Sequence, residues 1–390
     1  MKRFFQTIRN IFSIEDLRVR ILNTIGFLII FRLGSFIVIP GIDPTHPSLS
    51  AGATDGILGL LNTFLGGSFQ RASIFALGIM PYISASIIVQ LLTFAVPYFQ
   101  KLQKEGDSGR KRLNQITRVL TIFITGFQSY AYIRGTIDTG AIINPGFFFF
   151  FSAITILIAG TMFCMWLGER ITDKGIGNGI SVLIMIGIVS RLPIALYDEA
   201  VNNRGMNGAI LFIIELIVLF AIVMGVIMLT QATRRIPIQY AKQVIGNKLY
   251  GGKRDFIPLK LNSAGVMPII FAQALMFIPV LIVGIWRDTE VGAYIGQTFS
   301  DPYSWQYSLL FAMLILIFTF FYTAITINSN DIADNLKRNG GFVPGVKPGK
   351  QTAEFIDTVL SRITLPGALF LATIAILPAF AVKVGVGQQF

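Results

Sequence analysis

Charge is what this sequence is short of. Asp, Glu, Lys and Arg make up 13% of its 390 residues, about half of what a soluble globular domain carries. Histidine and cysteine are almost missing too. The single histidine, His46, argues against a histidine-based metal centre or catalytic site, which needs several convergent groups. The single cysteine, Cys164, excludes an internal disulfide framework. Phosphate-binding loops are also missing. The glycines of Gly175–Ser181 have no strand before them, and Gly246 to Gly252-Lys253-Arg254 lacks both the P-loop spacing and a Ser or Thr after the lysine. No nucleotide, metal or other cofactor is expected.

Apolar sequence takes the place of the charge. Hydrophobic residues reach 53%, with a mean hydropathy of +0.68. Nine apolar runs lie near residues 19–39, 72–92, 113–133, 147–167, 180–196, 209–231, 264–285, 307–327 and 366–382. Most hold about 20 residues, enough to cross a hydrocarbon layer of ~30 Å at 1.5 Å per residue. The chain therefore reads as an all-α polytopic membrane protein. With the spans numbered from the N-terminus, one side receives 25 of the 32 basic and 11 of the 20 acidic residues. The other side receives 5 and 8, and Arg32, Arg191 and Glu215 fall inside spans. By the positive-inside rule the N-terminus and the basic loops are cytoplasmic. Residues 1–18, where Lys2, Arg3 and Arg9 alternate with Phe4, Phe5, Ile8, Ile11 and Phe12, read as an amphipathic segment on the inner surface or as a frayed tail. Glu15 and Asp16 argue against a cleaved signal.

Some segments do not fit plain spans. The apolar run from Gly56 to Gly67 is too short to cross, so it is either a re-entrant helix that stoppers a cavity or a helix resting on the outer surface. Pro81 and Pro268 fall in spans two and seven and suggest kinks at corresponding places in two halves, as in an inverted repeat. The cytoplasmic loops 232–262 and 328–352 are basic and patterned. The first alternates like a hairpin around Gly246, Gly251 and Gly252, and the second is turn-rich. They suit docking onto RNA phosphates or an acidic protein surface, or they are ordinary positive-inside charge. Glu215 paired with Arg191 or Arg32 is a structural expectation; a proton relay is disfavoured by one carboxylate and no histidine in any span.

Longer stretches carry a family resemblance. Residues Ala72 to Ser86, Glu105-Gly106-Asp107-Ser108-Gly109-Arg110, Gly160-Thr161-Met162-Phe163, Gly175–Ser181 and the Phe342–Gly349 loop resemble the bacterial SecY family of protein-conducting channels, over essentially the whole chain. The resemblance implies an inverted repeat of two five-helix halves around an hourglass pore, residues 19–200 and 201–390. Nine of the family's ten spans are read here, with the tenth missing. It implies a channel for secretion and membrane-protein insertion, with no catalytic residues, in the bacterial inner membrane. A pore ring falls on Ile79, Ile83, Ile180, Ile184 and Ile270. Residues four apart on a helix share a face, and a compliant isoleucine ring seals by dewetting. A plug falls on residues 55–67, including Asp55, Gly56, Leu58, Leu61, Phe64 and Gly67. A lateral gate between spans two and three and spans seven and eight carries Gln90 and Asn262. Docking falls on Arg234, Arg235, Lys242, Lys337, Arg338 and Lys347, where lysine at 347 replaces the family's usual arginine and loses its planar fork. The implied partners are SecE and SecG, the SecA motor ATPase, the ribosome, signal sequences of unfolded secretory polypeptides, and membrane lipids. Two rivals stay open: a secondary transporter, and a membrane insertase without a through-pore.

Overall fold

Lipid offers the backbone no hydrogen-bond partners, so apolar runs of this length satisfy themselves as helices. The computed structural model describes residues 6, 12–46, 62, 65–202, 206–240, 243–245, 248–250, 254–285 and 304–383. The chain divides into two units, one built on Met1–Val201 and Ala274–Ser304, the other on Asn202–Gln273 and Trp305–Gln388.

The first unit begins with α1 (Glu15–Gly34), whose Glu15 and Asp16 in the first turn and Arg32 in the last complement the helix dipole. Helices α2 (Met80–Ala95) and α3 (Pro97–Lys104) meet at a 100° bend. Pro97 lacks the N–H that would continue α2, and it holds Val96 in an extended conformation, φ −115° and ψ 120°. There follow α4 (Asp107–Thr136), α5 (Phe147–Lys174), α6 (Gly179–Val189) and α7 (Leu192–Asn202). Asn178 caps α6, its Oδ1 accepting from the backbone N–H of Ile180 at 3.1 Å and Ser181 at 3.2 Å. Residues Gly175–Ser181 thus serve as the entry to a capped helix.

Helix α4 packs on α2 and α5 and buries a polar face: Thr117, Thr121, Thr125, Gln128 and Ser129. Each threonine hydroxyl donates to the carbonyl four residues back, at 2.6–2.9 Å, so the polar face needs no outside partner for these three groups. One apolar cluster ties the loop ends of this unit together through Ile39, Phe69, Ala72, Tyr132, Ile133 and Leu157. Within it the Tyr132 hydroxyl donates to the Phe69 carbonyl at 2.6 Å.

The second unit runs α8 (Met206–Gln231), β1 (Thr233–Tyr240), β2 (Gln243–Ile245), β3 (Lys248–Tyr250), β4 (Arg254–Lys260), the start of α9 (Met267–Ile285), α10 (Trp305–Thr326), α11 (Ser329–Arg338), β5 (Gly341–Phe342) and α12 (Lys350–Lys383). The alternation expected in loop 232–262 is a real antiparallel pairing, with Ile236 opposite Ile257, and β2 and β3 form a separate two-stranded hairpin. The strand order is β4-β1-β5. The second basic loop therefore adds a strand to the first, through Gln239 opposite Phe342 and Tyr240 opposite Gly341.

Among the described residues, five stretches are long and apolar enough to cross a membrane: Phe147–Lys174, Gly179–Tyr197, Phe212–Gln231, Trp305–Arg338 and Lys350–Leu377. The bent α2–α3 pair makes a sixth. Each of the nine expected runs contains helix, but the helices do not match the runs in length. Residues 74–79 form turns, leaving α2 only 16 residues, about 24 Å. The last run is instead part of a 34-residue helix that begins in the basic loop.

Pro81 and Pro268 are not kinks. Each stands at the second position of its helix, where a missing N–H costs nothing because no intrahelical acceptor faces it. Gly78 (φ +51°) and Gly265 (φ +64°) precede the two starts by two residues, in the left-handed region that favours glycine. The same Gly-x-Met-Pro string thus starts a helix in each unit.

Candidate functional site

The turn from Leu65 to Gly78 gathers the ends of several helices of the first unit. Asn62 is buried and anchors it: its Nδ2 donates to Gln70 Oε1 at 2.7 Å, its Oδ1 accepts from the Gln70 N–H at 3.2 Å, and its carbonyl accepts from the Gly67 N–H at 2.8 Å. Arg32, at the end of α1, donates from Nη1 to the Gly66 carbonyl at 2.9 Å. The guanidiniums of Arg32 and Arg71 lie 4.8 and 4.4 Å from the Phe36 ring centre. This turn overlaps the end of the expected plug at Leu65, Gly66 and Gly67. Of the plug residues, Gly67 is described, whereas Asp55, Gly56, Leu58, Leu61 and Phe64 lie outside the described residues.

Four expected ring residues belong to this unit. Ile79 and Ile83 are both buried, and the Ile83 N–H bonds to the Ile79 carbonyl at 3.1 Å, so the two stand one helical turn apart. Ile180 and Ile184 repeat that spacing on α6 and are half-buried. Ile180 leans on α5, where a Cβ at Gly168 would meet its Cγ1 at 3.1 Å. Ile270, half-buried on α9, belongs to the second unit.

Gln90 lies on α2, its Nε2 donating to Ser86 Oγ at 3.3 Å. Asn262 is buried in the second unit at the approach to α9; its Nδ2 donates to the Gly265 carbonyl at 3.1 Å, and its Oδ1 has no partner among the described residues. Glu215, buried on α8, also belongs to the second unit.

The described docking candidates of the second unit stand on one folded platform. Ile236 and Ile238 turn inward onto Leu259, Leu336, Val343, Ile356 and Leu360, while Arg234 and Arg235 are exposed on β1. Lys337 and Arg338 are exposed in the last turn of α11, and Lys347 is exposed in the turn before α12. Lys242 lies outside the described residues. The platform was not foreseen as a single sheet, because β5 is two residues long and carries no periodic signal.

Two features escaped the sequence reading. The buried polar face of α4 was hidden inside an apparently ordinary span, although threonine at 117, 121 and 125 already has helical spacing. An ion pair joins α4 to α5, with Arg118 Nη2 donating to both Glu169 carboxylate oxygens at 2.7 and 2.9 Å. It borders a cavity of about 460 Å³ lined by Arg118, Met162, Met165, Trp166, Glu169, Arg170 and Asp173.

Residues 73–389 match the SecY family model. The chain is 45% identical over 378 residues to the protein translocase subunit SecY of Escherichia coli, covering 94% of this chain and 85% of that protein. It is 43% identical over 390 residues to the same subunit of Halalkalibacterium halodurans, covering 97% and 90%. Among solved structures, a protein-conducting channel matches with a TM-score of 0.65 at 16% identity, over 95% of this chain and 91% of that one. A SecY channel whose plug domain stabilises the closed state and maintains a membrane seal matches at 0.61, also at 16% identity, over 95% and 91%. The idle yeast Ssh1 complex bound to the yeast ribosome matches at 0.65 and 16% identity, over 95% and 88%. At these identities the structural likeness speaks for the fold.

Proposed function

We propose that this chain, which belongs to the SecY family, is sealed by its isoleucines and plug and opens sideways to admit signal sequences. It is the channel subunit of a protein translocase, a multi-pass membrane protein and not an enzyme. The single observation that carries this is its 45% identity to a translocase subunit over 94% of its length.

In the proposed closed state, Ile79, Ile83, Ile180, Ile184 and Ile270 line the constriction. Isoleucine gives that constriction no ligand for an ion, and its side chains yield around a passing peptide. The helical-turn spacing of the first four supports the reading. Residues 55–67 form the stopper on the outer side. Gln90 and Asn262 mark the lateral gate, through which a signal sequence, itself as apolar as lipid, partitions into the bilayer. The division into halves at 19–200 and 201–390 is part of the same proposal.

The exposed arginines and lysines of the β4-β1-β5 platform would dock the ribosome or the SecA motor, with SecE and SecG as companion subunits. The ribosome-bound yeast relative supports the first of these. The proposed location is the bacterial inner membrane with the N-terminus in the cytoplasm, supported by the distribution of Lys and Arg.

The test is ion conductance of proteoliposomes holding this chain with its companion subunits, with and without residues 55–67. Deleting the plug should raise conductance well above the intact protein. Conductance at background in both, with protein shown to be inserted, would refute the plugged pore.

A further inference from the structure

Three arginines from three separate segments meet around Gly66 and Gly67. Arg32 ends α1, Arg71 lies in the turn after Gly67, and Arg191 joins α6 to α7. A Cβ on Gly67 would find Arg71 Nη2 at 3.6 Å and Arg191 Nε at 3.9 Å, and a Cβ on Gly66 would find Arg32 Nη1 at 3.1 Å. The three charges act on one another: Arg32 senses Arg71 and Arg191, and Arg191 senses Arg71. None of them is paired with a carboxylate among the described residues. All three are half-buried, and Arg71 Nη1 is buried without any hydrogen-bond partner.

Like charges held together out of full solvent contact are unfavourable, and an unmet buried donor adds to that penalty. The ring of Phe36 offsets part of it for Arg32 and Arg71 but supplies no acceptor. An oxyanion would relieve both terms at once. Guanidinium forks match the spacing of phosphate oxygens better than any other side chain. The missing side chain of Gly67 leaves open the point that Arg71 and Arg191 both reach. We propose that Arg32, Arg71 and Arg191 form a binding site for a phosphate group beside the Gly66-Gly67 turn. The group comes either from an anionic phospholipid headgroup or from free phosphate.

The test uses the full chain with its companion subunits in detergent. Inorganic phosphate is titrated at constant ionic strength, set with gluconate, while the unfolding midpoint is followed. In parallel, phosphatidylglycerol and phosphatidylcholine retained after purification are compared by mass spectrometry. A saturable rise of the midpoint, weakened about tenfold in Arg71→Gln and Arg191→Gln and largely kept in Arg71→Lys, supports free phosphate. Phosphatidylglycerol retained by the parent and lost in the glutamine variants, without a phosphate effect, supports the headgroup. Absence of both, or effects that survive both glutamine substitutions, overturns the proposal. If Arg71→Gln does not fold, Arg191→Gln, on a different segment, carries the test.

Discussion

Gly66 and Gly187 meet backbone to backbone. A Cβ on Gly66 would stand 3.0 Å from the Gly187 carbonyl oxygen and 3.2 Å from its Cα, and Gly66 itself has φ +63°. The last residues of the proposed plug are thereby held on the end of α6.

Gly66→Ala should therefore loosen this contact from two directions, by steric pressure and by left-handed strain. The strain alone costs about 1–2 kcal/mol. The expected result is a lower unfolding midpoint together with a raised ion leak in proteoliposomes. A midpoint and a leak both equal to the parent's would show that the contact holds nothing in place.

Ile83 is 5% exposed, so Ile83→Ala combines a packing loss of about 2–5 kcal/mol with a wider constriction. Ile184, half-buried, should lose less stability on the same change. If both line the pore, the double variant leaks ions more than either single one, and Ile83→Val stays near the parent. A double variant as tight as the parent would remove the ring.

The platform makes a third prediction. Asn328 caps α11, its Oδ1 accepting from the N–H of Asn330 at 3.1 Å and Asp331 at 3.4 Å. Asn328→Ala should cost about 1 kcal/mol and loosen the helix that carries Lys337 and Arg338. Ribosome binding should weaken in Asn328→Ala and recover in Asn328→Asp. Equal binding by all three proteins would detach α11 from docking.

Arg234 and Arg235 lie exposed on β1, clear of the apolar core beneath. Replacing each with Gln should leave the unfolding midpoint unchanged while ribosome affinity falls. If the contact is to RNA phosphate, the slope of log affinity against log salt should shrink by about 1 per arginine. An unchanged slope would send the docking role elsewhere on the platform.

The run of helices was legible because hydropathy is a property of local sequence, and the charge of the loops could be counted directly. The hairpin of loop 232–262 was legible for the same reason, since period-two alternation over Thr233–Tyr240 belongs to one segment. Pro81 and Pro268 misled because proline reads alike inside a helix and at its start; what decides is the preceding backbone, and there Gly78 and Gly265 adopt positive φ. The joining of β5 to β1 was invisible because a two-residue strand has no period and its partner lies about a hundred positions away.

By itself the sequence determined that this chain lives in a membrane through apolar helices, and which family it resembles. These follow from composition and from motifs that need no partner to be recognised. Only the tertiary structure decided that Arg32, Arg71 and Arg191 share one turn, that Gly66 rests on Gly187, and that the two basic loops build one sheet. Each of those is a meeting of segments far apart in the chain, set by which surfaces pack, and no local pattern encodes it.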